Sequence, residues 1–190
     1  MPSVDYDLGY LRAGIPMLED YLLSKDIYWS LGGSPPRGEP GFPSLTLSGI
    51  LIVQARLHAH PLTMGQRDKM ARLDEQIDDL RARWRVAWER KASNEFRARL
   101  NLWRDFLGEY RQSPEAHSDR YSYEVSRRVM LNLLGQEAGE VQPAESDLLT
   151  ALDKLLRAVF IPGNFIWDPE LAPGFPSSKY WYLYGDVKKS

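Results

Sequence analysis

The chain has 190 residues, 43% of them hydrophobic and 26% charged, and its formal net charge is −2. These values are typical of one globular domain with a sizeable core, and they give no overall attraction to nucleic acid or anionic membranes. The absence of cysteine excludes disulfides, thiolate nucleophiles and cysteine metal sites.

The first predicted helix lies near the N-terminus. Apolar residues recur every three or four positions from Leu8 to Leu22, which is the spacing of a helix that buries one face. Pro16 interrupts this pattern, so the helix either begins at this proline or bends there. A loop rich in glycine and proline, residues 32–41, follows it.

A second helix is predicted from Ser44 to about His60. Ser44 can cap its N-terminus, and Pro61 ends it. Apolar residues surround nearly the whole of its first half. A helix of this kind is expected at the centre of a bundle.

The longest predicted helix spans residues 65–110, without a proline and with Gly108 as its first internal glycine. If it were unbroken it would measure about 65 Å, which is more than a compact domain of this size needs. The spacing of the apolar residues changes near Trp88. We therefore expect the helix to bend or break near residues 92–94, or else to project from the domain.

Two further helices are predicted from Tyr121 to Leu134 and from Pro143 to Phe160. Each has a single apolar stripe, and the charges of the second agree with the helix dipole. The predicted fold is therefore all-α, an irregular bundle of about five helices that includes one very long one. We expect residues 1–190 to form a single domain.

The last segment, Phe160–Ser190, combines many aromatic residues with prolines that recur every few positions. Proline prevents a long helix here, and each large aromatic ring needs cover from water. We expect this irregular tail to fold back onto the helices as part of the core. Its aromatic runs also suggest two short strands, Phe165–Trp167 and Tyr180–Tyr184.

The sequence contains no membrane or secretion signal that we can identify. The longest apolar run, Ile50–Val53, is far shorter than the roughly 18–20 residues that span a bilayer. The residues from Met1 to Asp7 are acidic and lack the apolar segment of a signal peptide. We expect a soluble cytoplasmic protein, and the excess of arginine over lysine weakly favours a bacterial source.

Sequence motifs for catalysis or cofactor binding are not found. His58 and His60 are the only close pair of histidines, and two residues apart on a helix they point in different directions. His117 has no neighbouring ligand. Zinc spacings, phosphate-binding loops and nucleophile elbows are all missing. We predict no metal site and no cofactor, and we favour a non-catalytic protein.

An arginine stripe is the main local charge feature. Arg83, Arg90, Arg97 and Arg104 recur every seven residues along the long helix. Such a stripe could contact phosphates, although a solvated helix face has the same pattern. The nearby tryptophans fall on the apolar side of the helix, where they could not stack on bases. Nucleic acid is therefore a disfavoured partner.

Glu95 is the residue that fits its surroundings least well. Helical projection places it on the apolar side near Trp84 and Trp88, where a carboxylate needs a partner. An ion pair with an arginine of a neighbouring helix would satisfy it, and so would a break that turns it outward. A third hypothesis makes it an acid in a pocket roofed by tail aromatics. The candidate pocket residues are then Glu95, Trp167, Trp181, Tyr182 and Tyr184.

No single function follows from these patterns. The best prediction is a helical protein that acts by binding another protein or a second copy of itself, because a projecting helix would expose an apolar face. The alternatives are nucleic-acid association through the arginine stripe, and a small-molecule or enzyme site between the tail and the bundle.

Overall fold

The computed structural model describes residues 2–189, and helices make up most of this range. Seven α-helices occur in the described residues, with α5 a single turn: α1 (Val4–Leu23), α2 (Leu47–Ala59), α3 (Met64–Arg83), α4 (Arg85–Gln112), α5 (Pro114–His117), α6 (Tyr121–Glu137) and α7 (Pro143–Val159). The predicted all-α class is confirmed. The helix count is higher because the long helix divides in two and because α5 is added.

Helix α1 begins at Val4, well before the apolar stripe that predicted it. Its cap is Ser3, whose Oγ accepts a hydrogen bond from the backbone N–H of Tyr6 at 3.1 Å. Pro16 lies inside the helix, so the alternative in which the helix begins at Pro16 is wrong. The apolar stripe begins after the first turn, so the stripe alone does not show where α1 starts.

The long helix breaks at Trp84, and the predicted break near residues 92–94 is wrong. Trp84 has φ −112° and ψ 33°, which is outside the helical region, whereas Ala92 and Ser93 lie within α4. Helix α3 packs on α1 and buries only Met70 and Ile77, but α4 packs on α6 along much of its length. The change of spacing near Trp88 therefore reflects a change of packing partner.

Helix α2 is central, as predicted, and packs against α1, α4, α6 and part of the tail. Its cap is Thr46 instead of the predicted Ser44, because Thr46 Oγ1 accepts a hydrogen bond from the Gly49 N–H at 2.9 Å. A side chain at Gly49 would lie 2.5 Å from the hydroxyl of Tyr10. The glycine thus allows α1 to approach α2 closely.

The tail packs back onto the helices, as predicted, and forms a small antiparallel sheet. Strands β1 (Phe160–Phe165) and β2 (Tyr184–Val187) pair with Phe160 opposite Val187. The predicted strand bounds are wrong, because Trp167 lies beyond β1 and Trp181–Leu183 is a 3₁₀ turn. Gly185 has φ 149°, and a Cβ there would lie against the carbonyl of Ile161, so glycine is required for this pairing.

Between the strands, the tail supplies several side chains to the core. The buried ones include Trp167, Leu171, Phe175, Tyr180, Tyr182 and Leu183. Tyr121 of α6 donates a hydrogen bond to the carbonyl of Tyr182 at 2.7 Å. In residues 2–189 no helix has both the length and the apolar character that a bilayer crossing requires.

Candidate functional site

The structure does not bring the five predicted pocket residues together. Trp181 is covered by the Arg157 guanidinium, 3.7 Å from its ring centroid, and Tyr182 is fully buried. The Tyr184 hydroxyl donates to the carbonyl of Phe175 at 2.9 Å. Of the tail residues in this set, Trp167 alone lines the groove described below.

Glu95 is fully buried and holds the N-terminus of α2. Its Oε2 accepts a hydrogen bond from the Ser48 N–H at 3.0 Å, and its Oε1 accepts one from Ser48 Oγ. Arg99, one turn further along α4, donates to Oε1 from Nε at 3.2 Å and from Nη2 at 3.1 Å. The predicted arginine of a neighbouring helix is therefore wrong, because the partner lies on the same helix, one turn away. The carboxylate also meets the positive end of the α2 dipole.

A buried tyrosine, Tyr21, completes the surroundings of this carboxylate. The Tyr21 hydroxyl accepts a hydrogen bond from the Leu47 N–H at 3.1 Å and donates one to the carbonyl of Ile27 at 3.1 Å. Burial, followed by the nearby Glu95 charge, raises the pKa of Tyr21. Tyr21 consequently stays neutral at ordinary pH, and the first N–H groups of α2 all have partners.

A groove with a volume of about 560 Å³ opens beside this cluster. It is lined by four helices, α1, α2, α4 and α6, together with the loop before α2 and the start of the tail. The residues lining it are mostly aromatic, apolar or hydroxyl-bearing: Pro2, Tyr6, Tyr10, Tyr28, Pro43, Ser44, Thr46, Gly49, Ile52, Val53, Arg56, Arg99, Ser122, Tyr123, Ser126, Met130 and Trp167. Apolar concave surfaces with a few polar groups are the usual form of small-molecule sites.

The groove runs along α2 and has an arginine near each end. Arg99 lies at the N-terminal end of α2, where its Nη2 is 3.4 Å from Thr46 Oγ1. Arg56 is in the last turn of the same helix. From Thr46 to Arg56 the helix axis advances about 15 Å, so the groove is elongated and its two charged groups lie far apart.

Arg56 is held by a buried carboxylate of α1. Its Nε donates to Asp7 Oδ2 at 2.8 Å and its Nη2 to Oδ1 at 2.5 Å, which is a bidentate pair. Asp7 accepts no side-chain hydrogen bond from any other described residue. Burial raises the pKa of Asp7, although its hydrogen bonds from Arg56 act in the opposite direction. The Asp7 charge thus depends on Arg56.

Replacing Arg56 by leucine should destabilise the protein by about 3 kcal/mol at neutral pH. This is the lower end of the range for a buried pair that loses one partner, because Asp7, which is left buried, can take up a proton instead of remaining an unpaired charge. The variant raises the folded-state pKa of Asp7 further above its unfolded value of 3.8. The folded state then binds a proton that the unfolded state does not, so the lost stability should return as the pH falls through the raised pKa.

Urea unfolding of this variant and of the parent between neutral pH and pH of about 4 measures the effect. Arg90→Leu is the control, because Arg90 is exposed and has no ion pair among the described residues. A destabilisation of Arg56→Leu that did not change with pH would contradict the assignment to Asp7.

The four residues of the arginine stripe do not form one free basic surface. Arg83 lies on α3 and the other three on α4, so the break at Trp84 interrupts the stripe. Arg83 pairs with Glu19 at 4.0 Å, Arg97 with Glu145 at 2.5 Å, and Arg104 with Asp105 at 2.9 Å. These carboxylates compensate most of the charge that phosphates would need.

The histidines each face a carboxylate instead of one another. His58 Nε2 is 3.1 Å from Asp74 Oδ2, and His60 Nδ1 is 3.5 Å from Glu170 Oε2. In the part of the chain that the structure describes, no group of three or more histidine and acidic side chains is placed to hold a metal ion. The histidines therefore add no metal-ligating chemistry to the groove.

Comparison of the chain with protein-family profiles, with curated proteins and with solved structures gives no match. The groove must therefore be interpreted from its own geometry. The sequence patterns singled out Glu95 and Trp167 but assigned neither Arg56, Arg99 nor the tyrosines of the groove to a site. The spacing of Glu95 and Arg99, one helical turn apart, indicates that the two residues can pair. The Asp7–Arg56 pair left no signal, because its two residues belong to different helices.

Proposed function

We propose that this chain is a non-catalytic binding protein whose groove along α2 accepts a small molecule with a largely apolar body. The observation that carries this proposal is the composition of the groove. Its walls combine Ile52, Val53, Met130 and Trp167 with several tyrosines, and its volume of about 560 Å³ is within the usual range for ligand sites.

Binding is favoured over catalysis because tyrosines and arginines are the only titratable groups among the described residues that line the groove, and burial raises the pKa of Tyr6 and Tyr10. No histidine, lysine or carboxylic acid is among the described residues that line it. The two carboxylates behind it, Asp7 and Glu95, are buried and already engaged by arginines. Ser48 could resemble a nucleophile beside a carboxylate, but it is fully buried and no substrate could reach it.

Self-association or binding to another protein stays a prediction, but the structure gives it little support. The sequence favoured it because a helix that projects from the domain would expose an apolar face. The long helix instead breaks at Trp84, and α3 packs on α1. Nucleic-acid association has less support for a similar reason, because Arg83, Arg97 and Arg104 have acidic partners.

The experiment uses octanol as a neutral apolar probe, with binding measured by isothermal titration calorimetry. Ser126 lines the groove from α6 and is partly accessible. Ser126→Phe should fill the groove and weaken octanol binding by at least about tenfold, which corresponds to about 1.4 kcal/mol. The matched control is Asn101→Phe, which adds the same ring to an exposed position of α4.

Thermal melting of both variants shows whether they keep the parental fold. The proposal fails if octanol does not bind the parent protein, or if Ser126→Phe folds normally and binds octanol as well as Asn101→Phe does.

A further inference from the structure

We infer that the ligand is a small carboxylic acid whose carboxylate binds at Arg99 and whose apolar body extends along α2 toward Trp167. This inference rests on the proposed binding function and adds the chemical class and the orientation of the ligand. The two arginines in the groove have unequal surroundings, and this difference indicates which end binds the carboxylate.

Arg99 has a hydrogen-bond donor left over. Its Nε and Nη2 donate to Glu95, and Nη2 also approaches Thr46. Its Nη1 has no hydrogen-bond partner among the described residues, although the side chain is only 12% exposed and lines the groove. A guanidinium fixed from behind in this way presents a preorganised N–H edge to an anion.

The positive charge of Arg99 is only partly matched by Glu95. The Glu95 carboxylate also accepts hydrogen bonds from the Ser48 N–H and Oγ at the N-terminus of α2. The helix dipole there favours negative charge as well. Since one carboxylate is shared between Arg99 and the start of a helix, this end of the groove keeps a net attraction for a second anion.

The Arg56 end differs in its charge balance. Asp7 receives side-chain hydrogen bonds from Arg56 alone, and the two form a bidentate pair. Their charges match, so this end is close to neutral. Trp167 and the side chains of Ile52 and Val53 provide apolar surface for the body of the ligand. The carboxylate is therefore assigned to Arg99 and the apolar end to the region of Arg56.

Tyr28 supports this assignment from the loop before α2. The Arg99 guanidinium lies 5.6 Å from the centroid of the Tyr28 ring, within the range of a cation–π contact. Tyr28 is 53% exposed and also lines the groove. Its ring helps to fix the plane of the guanidinium while leaving the outer edge open.

The test compares octanoate with octanol, two probes of equal chain length that differ in charge. The parent protein should bind octanoate about tenfold more tightly than octanol. Arg99→Gln should reduce this preference to within about twofold while octanol still binds, which shows that the groove is intact. Arg99→Lys should keep part of the preference, and Arg90→Gln should keep all of it.

Three results would overturn the inference. Equal binding of octanoate and octanol by the parent would show that the protein does not recognise the carboxylate of the ligand, but it would leave the proposed function standing. If Arg99→Gln bound neither probe, Arg99 would shape the groove instead of recognising charge. An acetylated tri-leucine peptide that bound more tightly than octanoate would assign the groove to a polypeptide carboxylate. Failure of octanol to bind the parent is a separate outcome and rejects the proposed function itself.

Discussion

Removal of residues 160–190 should abolish cooperative folding. The tail buries Trp167, Leu171, Phe175, Tyr182 and Leu183 against the helices. At about 2 kcal/mol for each large buried side chain, their loss is comparable to the whole stability of a typical domain, about 5–15 kcal/mol. The shortened chain should aggregate or keep helices without fixed packing.

Circular dichroism at far- and near-ultraviolet wavelengths, together with thermal melting, measures this effect. Deletion of residues 189–190 alone is the control, since Lys189 is exposed and forms only a surface ion pair with Asp119. Limited proteolysis gives an independent test. Cleavage after Phe160 that left a helical core with an unchanged melting temperature would show that the tail is dispensable.

Replacement of Glu95 by alanine should destabilise the protein by about 3–5 kcal/mol, the range for a buried pair that loses one partner. The change leaves the Ser48 N–H without an acceptor at a buried helix start. It also leaves Arg99 without its carboxylate, with a side chain that is only 12% exposed. Both groups would need water that cannot reach them freely.

Urea unfolding compares this variant with two others. Glu95→Gln keeps an acceptor for Ser48 but removes the charge, so its loss of stability should be intermediate. Glu89→Ala removes a carboxylate from the same helix that pairs with the exposed Arg85, and its effect should be small. If Glu95→Ala were no more damaging than Glu89→Ala, Glu95 could not be the residue that holds the start of α2.

The fold was predictable for helices whose apolar residues keep one regular pattern along their length. The apolar patterns of α1, α2, α6 and α7 located these helices, although they did not give the first turn of α1 or the cap of α2. The break of the long helix was misplaced because Trp84 has no breaker residue beside it. Only the exchange of α1 for α6 as the packing partner explains its position, and that exchange is a tertiary property.

The site was predictable only in part. Glu95 was recognised as unusual because a carboxylate on an apolar face requires a partner. That partner combines Arg99, which is local, with Ser48, which is on another helix. The groove itself depends on how α2, α6 and the loop before α2 approach one another, and no spacing within one helix contains that information. The predicted tail strands failed similarly, since Phe160 pairs with Val187 across a long excursion.

The closing of the core by the tail also has a kinetic consequence. The tail follows every helix in the order of synthesis, and its contacts join residues far apart in the chain, such as Tyr110 with Lys188 and Ala59 with Gly174. Contacts of such long range form late and slow the folding of a chain. Until the tail has been synthesised, the apolar surfaces of α2 and α6 that it will cover stay exposed to solvent. The nascent protein therefore passes through a stage in which it can aggregate or bind chaperones.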